Sequence, residues 1–167
     1  MDKKEKTIIT VTAALLVVAL VATAVVFFVQ KKKNDFTPPP FDKGAISGKP
    51  AVDNEAFQYR KVTVSEDLIF SLCMCPLYEA GNADVFLTND ESSNAYIRIV
   101  LFDAEDNPIG ESGLLKPGEY IESVSLSISP EKDTSIKAKI LSYDKKTYYS
   151  KGTSDGNLSL IMSDQFE

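Results

Sequence analysis

Residues Ile8 to Val29, IITVTAALLVVALVATAVVFFV, run for 22 positions without a charge, a proline or a glycine. As an α-helix this run measures about 33 Å, enough for the hydrocarbon core of a bilayer. Its three threonines fit such a helix, because their hydroxyls return to backbone carbonyls one turn earlier. No later segment supplies an apolar helical partner, so the run reads as a transmembrane helix rather than a buried core helix. Ala22-Thr23-Ala24 has the small-x-small form of a signal-peptidase site. A cleavage site ends an apolar run, whereas here Val25 to Val29 continue it. The segment is therefore expected to be an uncleaved signal anchor.

Charge sets the surroundings of this helix. Lys3, Lys4 and Lys6 precede it and Lys31, Lys32 and Lys33 follow it, as expected for contacts with lipid headgroups. With three lysines on each side, the flanks alone do not orient the segment. The short tail, residues 1–7, and the long acidic remainder give the expected orientation: N-terminus in the cytoplasm, domain outside. From Asn34 onward there are 12 Lys and Arg against 22 Asp and Glu. Such an acidic region repels phosphate backbones, so nucleic acid is not an expected partner. The chain has no histidine, which removes the usual neutral-pH general base and the commonest zinc ligand.

Residues 30–54 contain four prolines, including Pro38-Pro39-Pro40, and no periodic apolar pattern. They read as a flexible Lys/Pro-rich stalk with polyproline II character. From residue 55 to 167 the pattern becomes short apolar runs between turn residues. The expected strands are Phe57 to Val64, Leu68 to Cys75, Ala83 to Asn89, Ala95 to Asp103, Glu122 to Ser129, Ser135 to Tyr143 and Leu158 to Met162. Val124, Leu126 and Ile128 alternate with serines, and Ile136, Ala138 and Ile140 alternate with Lys137 and Lys139, the period of a half-buried strand. Lys116-Pro117-Gly118-Glu119 suits a type II turn and Asp155-Gly156 a hairpin. The expected fold is mainly β: an antiparallel Ig/fibronectin-III-like β-sandwich of about seven strands behind the anchor and stalk.

Three stretches carry a family resemblance. They are Phe86-Leu87-Thr88-Asn89 followed by Ser93-Asn94-Ala95-Tyr96; Glu111-Ser112-Gly113-Leu114-Leu115-Lys116-Pro117-Gly118 after Leu101-Phe102-Asp103; and Ile121-Glu122-Ser123-Val124-Ser125-Leu126. Together, over roughly residues 55 to 163, they resemble a group of small single-pass membrane proteins of Gram-positive (Bacillota) bacteria. Members share a lysine-flanked anchor, a spacer and one β-sandwich with an S-G-x-[IL]-x-P-G signature. The region Glu131-Lys132-Asp133-Thr134-Ser135 lacks the Gly and Tyr usual in that group. The resemblance implies an extracytoplasmic sandwich and brings no catalytic residues with it. Ser112, Gly113, Pro117 and Gly118 fall on the signature, where the first pair can end one strand and the second can turn into the next.

Chemistry-bearing residues are few. Cys73 and Cys75 are expected to share one strand face with Ile69 and Ser71, while Leu68, Phe70, Leu72 and Met74 take the core side. A bridge across one residue is strained, two thiolates are too few for zinc, and no neighbouring cation activates them. No metal or other cofactor is expected. Asp103-Ala104-Glu105-Asp106-Asn107 fails the calcium-loop pattern at Pro108 and Leu114 and reads as a hairpin tip. Tyr143, Tyr148 and Tyr149 form the candidate partner-binding group, since exposed aromatics anchor interfaces. The expected function is non-catalytic: a membrane-anchored module that binds another envelope protein, as an accessory of an envelope or transfer assembly. The alternatives are a surface module for wall glycan or peptide and a small carboxylate enzyme.

Overall fold

The computed structural model of the 167-residue chain describes residues 2, 4, 12, 15–23, 25, 36–52, 57–65 and 68–163. The chain divides into two units, Met1–Pro38 and Pro39–Glu167. In the first, residues 15–23 are helical, and Thr23 Oγ1 donates to Ala19 O at 2.8 Å, the back-bond expected of a threonine in an apolar helix. Among the described residues no helix is long and apolar enough to cross a membrane. Both ends of the expected Ile8–Val29 segment, and Lys3, Lys6 and Lys31 to Lys33, lie outside the described residues.

The second unit is mainly β. Its strands are β1 (Ile46–Ser47), β2 (Tyr59–Ser65), β3 (Leu68–Cys73), β4 (Leu77–Glu79), β5 (Asn82–Ala83), β6 (Thr88–Asn89), β7 (Tyr96–Phe102), β8 (Pro108–Glu111), β9 (Glu119–Tyr120), β10 (Val124–Ser125), β11 (Thr134–Tyr143) and β12 (Ser150–Met162). They form two sheets, ordered β1-β9-β6-β3-β2 and β10-β5-β4-β12-β11-β7-β8. The strand pairings are antiparallel except β12 with β4, which is parallel, a departure from the wholly antiparallel expectation. One core joins the sheets. Leu68, Phe70 and Leu72 enter it from β3, Ile97, Ile99 and Leu101 from β7, Ile136, Ala138 and Ile140 from β11, and Leu158 and Leu160 from β12. Burying one such Leu, Ile or Phe contributes roughly 1.5–3 kcal/mol.

Several expected strands change length. Thr134–Tyr143 and Tyr96–Phe102 form as their apolar patterns require. The run Ala83 to Asn89 breaks into β5 and β6, with Phe86 at φ 44° between them. Glu122 to Ser129 keeps its alternation, with Val124 buried and Leu126 and Ile128 half-buried, but only Val124–Ser125 pairs as strand. The Asp155-Gly156 hairpin is not formed. Both residues lie inside β12, paired with Lys139 and Ala138 of β11. The ladder that starts at Thr134↔Leu160 continues past them, and the chain reverses at Asp144 to Tyr149 instead.

The largest correction concerns the stalk. Residues from Pro39 belong to the β unit, so it does not begin at residue 55. Leu114 N–H donates to Pro40 O at 2.9 Å, and Asp42 N–H donates to Leu114 O at 3.0 Å. The Asp42 carboxylate accepts the Gly113 N–H at 2.7 Å and the Gly44 N–H at 2.8 Å. Further along, β1 pairs with β9, and Gly48 N–H donates to Gly118 O at 2.8 Å. Polyproline-type backbone leaves its polar groups unpaired, and here the sandwich pairs them. Residues 39–48 are thus a strap laid along the β unit.

The strap explains the signature residues. Ser112 Oγ accepts the Ile99 N–H at 3.0 Å and donates to Gly113 O at 2.9 Å, prolonging the β7 ladder beyond β8. A Cβ on Gly113 would lie 2.5 Å from both Asp42 Cα and Asp42 N and 2.8 Å from Phe41 C. These are backbone atoms, which cannot rotate away. Gly118 sits at φ 80°, and Glu119 N–H donates to Lys116 O at 3.0 Å, which is the expected type II turn. Substituting Gly113→Ala is expected to cost about 1–3 kcal/mol, the usual range for overpacking. The urea midpoint should fall, and hydrogen exchange should speed up selectively at the Asp42 and Leu114 amides. Unchanged protection at those amides would show that the strap does not depend on this contact.

Candidate functional site

The turn between β11 and β12 is organised by Asp144. Its Oδ1 accepts the Thr147 N–H at 2.8 Å, the Lys146 N–H at 2.9 Å and the Thr147 hydroxyl at 3.0 Å. These bonds, led by the Thr147 amide, hold the Asp144 carboxyl below its ordinary range. Tyr148 then adopts φ 59°, uncommon for a bulky side chain. In this conformation its ring lies 5.6 Å from the Tyr96 ring and 6.4 Å from the Phe41 ring. Phe41 and Tyr96 meet edge-to-face, with centroids 5.1 Å apart and planes at 80°. Lys116 Nζ stands 5.0 Å from the Phe41 centroid and 3.4 Å from Glu119 Oε1, so a located positive charge borders the rings.

The three tyrosines singled out from sequence therefore separate. Tyr143 is 9% exposed and stands opposite Tyr96 in the β11–β7 ladder, a buried neighbour of the ring cluster rather than an exposed ring. Tyr148 is half-buried within the ring cluster, and Tyr149 is 65% exposed beside it in sequence. The sequence reading missed Phe41, Tyr96 and Lys116. Phe41 directly follows three prolines in a segment otherwise poor in apolar residues, and that isolated aromatic was the available signal.

A second concave feature lies on the β1-β9-β6-β3-β2 sheet. Lys61, Ser71, Thr88 and Tyr120 are in register across β2, β3, β6 and β9, so their side chains share the face opposite Phe70 and Leu72. A cleft of about 330 Å³ opens on this face and is bordered by Gly48 at the end of the strap and by Lys49, Pro50 and Val52 beyond it. Tyr59 OH and Thr88 Oγ1 are 2.6 Å apart. Lys61 Nζ donates to Asp90 Oδ2 at 2.6 Å, while Asp90 Oδ1 accepts from the Ser92 amide and hydroxyl. The Lys61 hydrogen bond, followed by those from Ser92, holds the Asp90 carboxyl well below the usual carboxylate range. Beside the cleft, Asn89 is fully buried and donates from Nδ2 to Ala95 O at 2.9 Å and Leu115 O at 3.0 Å. It ties the loop between β6 and β7 to the segment leading into the turn at Pro117.

The cysteines are free. Cys73 is fully buried even though it lies on the face away from Leu72, contrary to the less protected position expected. Its amide donates to Val85 O at 2.9 Å and its cross-strand partner is Tyr59. Burial first, then the negative charges of Asp84 and Cys75, push the Cys73 thiol up to about 12. Asp84 is itself shifted upward by burial and by Glu79 and Glu122. The Asp103 carboxylate is occupied by its own loop, accepting from the Glu105 and Asn107 amides and the Asn107 side chain, which makes that stretch a hairpin tip. Among the described residues no group of three or more His, Cys, Asp or Glu could hold a metal ion.

No protein-family model matches the chain, and no curated protein matches its sequence.

Two outcomes follow from these geometries. A maleimide should modify Cys75 in the folded protein and leave Cys73 unmodified until denaturant is added; modification of both at equal rates would contradict the burial of Cys73. For Asp90, the folded pKa lies below the unfolded value of about 3.9. Its contribution to stability is therefore present above that value and lost as pH falls toward the folded pKa. Asp90→Asn should lower stability at pH 7 by no more than about 1 kcal/mol, since Lys61 is exposed. Urea titrations should show the difference from the parent protein shrinking between about pH 4 and pH 2. A pH-independent difference would remove the ion pair as its cause.

Proposed function

We propose that this protein is a membrane-anchored module that binds another envelope protein and is itself non-catalytic. The observation that carries the reading is the surface cluster of Phe41, Tyr96 and Tyr148 with Tyr149 exposed next to it in sequence. Its rings come from three distant parts of the chain, and one is held there by a left-handed backbone at Tyr148. Such a residue costs on the order of 1–3 kcal/mol, and that cost favours a role beyond packing. Aromatic rings bordered by a lysine are the residue types that anchor protein interfaces.

The anchor rests on the first unit. Leu15, Leu16, Val17, Val18, Leu20 and Val21 are each more than half exposed. A helix apolar on all sides requires apolar surroundings, and the uncharged run Ile8 to Val29 has the length of a membrane span. The acidic character of the β unit and the S-G-x-[IL]-x-P-G resemblance support a position outside a Gram-positive cytoplasmic membrane. Two sheets around one core, with β7, β11 and β12 adjacent, support the Ig/fibronectin-III-like reading.

A photo-crosslinking amino acid at position 149 of the full chain, expressed in intact Gram-positive cells, tests the partner. One reproducible adduct with an envelope protein is expected, and it should weaken several-fold when Tyr148→Ala is added. Only diffuse lipid-proximal adducts, unchanged by Tyr148→Ala, would overturn the reading.

A further inference from the structure

The geometry points to a carbohydrate-binding site in the cleft between the strap and β2, β3 and β6, taking one or two uncharged or zwitterionic sugar rings. This goes beyond the partner-binding reading and shares no residue with the aromatic cluster.

The first argument is the state of Ser71. It lies on the face of β3 turned away from the core, yet it is only 9% exposed. It lines the cleft, and among the described residues its hydroxyl has no hydrogen-bond partner. The hydroxyl is open to the cleft rather than sealed, so it offers a ligand a free donor and acceptor. Thr88, 6% exposed, stands next to it across the ladder. The Tyr59–Thr88 hydroxyl pair still retains acceptor capacity.

Charge narrows the ligand class. Lys49 and Lys61 face Asp90 and Glu91 around the cleft, a balance that gives no field for a phosphate or polyanion. Asp90 is fixed by Lys61 and Ser92, so a carboxylate of set orientation points at the site, the acceptor that vicinal hydroxyls or an amide N–H require. A metal ion is a poor match, because among the described residues no group of three or more His, Cys, Asp or Glu gathers around it.

At the floor of the cleft backbone accessibility favours a sugar over a peptide; a free edge of the sheet lies at β2, the cleft's outer strand. Extended peptides bind by adding a strand to an unpaired edge. The floor strands β3 and β6 are each paired on both sides, so the floor offers side-chain hydroxyls rather than main-chain groups. The Tyr59 ring, Pro50 and Val52 supply apolar surface for the C–H face of a pyranose. The volume of about 330 Å³ is at the low end for small-molecule clefts, which limits occupancy to one or two rings.

The test is an amide-resolved NMR titration of the full chain in a sugar-free zwitterionic detergent. The probes are chitotetraose, maltotetraose and inorganic phosphate. Saturable shifts at Ser71, Thr88 and Asp90 with one of the tetrasaccharides at millimolar concentration are expected. Ser71→Ala should weaken that binding about fivefold, the effect of one ordinary hydrogen bond, while leaving the unfolding midpoint in place. Asp90→Asn should weaken it independently. No shift with either tetrasaccharide, a response equal in both variants and the parent, or the same amides responding to phosphate would each overturn the assignment. Failure of crosslinking at position 149 would leave this site untouched, so the two readings fail separately.

Discussion

The contact of backbone on backbone at Gly113 governs how this β unit is finished. Strap and sandwich approach so closely that a single methyl group at Gly113 would meet Asp42 Cα and N at 2.5 Å. The closeness permits paired main-chain bonds on both sides of the contact, from Leu114 to Pro40 and from Asp42 to Leu114, and brings the Asp42 carboxylate onto the Gly113 amide. The Pro40 carbonyl and the Asp42 amide, which would otherwise need water, thereby gain partners.

Both surface features depend on that docking. Near its beginning the strap contributes Phe41, which sits against Tyr96 and Tyr148 and under the Lys116 charge. Beyond Gly48 the chain forms one wall of the cleft over Ser71 and Thr88. One short segment therefore completes an aromatic surface at one end and a polar cleft at the other. The two differ in the chemistry they offer: rings and one positive charge in the first, hydroxyls and balanced charges in the second.

Much of the sandwich was legible from local pattern. The alternation in Ser135 to Tyr143 and the apolar density of Ala95 to Asp103 mark strands whose inward residues are fully buried, and Pro117-Gly118 dictates its own turn because Gly supplies the positive φ. Legibility ended where partners are distant. Asp155-Gly156 has hairpin chemistry, but the ladder with β11 overrides it, and Asp144 makes the reversal by capping the amides of Lys146 and Thr147. The Pro-rich strap could not be read as docked, because backbone pairing leaves no side-chain period. Of the tyrosines, only the fold distinguished buried Tyr143 from exposed Tyr149.

The sequence alone determined the β character of residues 57–163, the central strands, the type II turn and the acidic balance of the unit, since each follows from period, φ preference or charge count. It also placed the uncharged run Ile8 to Val29 at the length a bilayer requires. Tertiary structure decided that residues 39–48 join the fold, that Cys73 is sealed from solvent, and that Phe41 meets Tyr96 and Tyr148. The physical reason is common to all three. Each depends on a contact between segments far apart in the chain, whose free energy comes from burial and pairing that no local window of sequence contains.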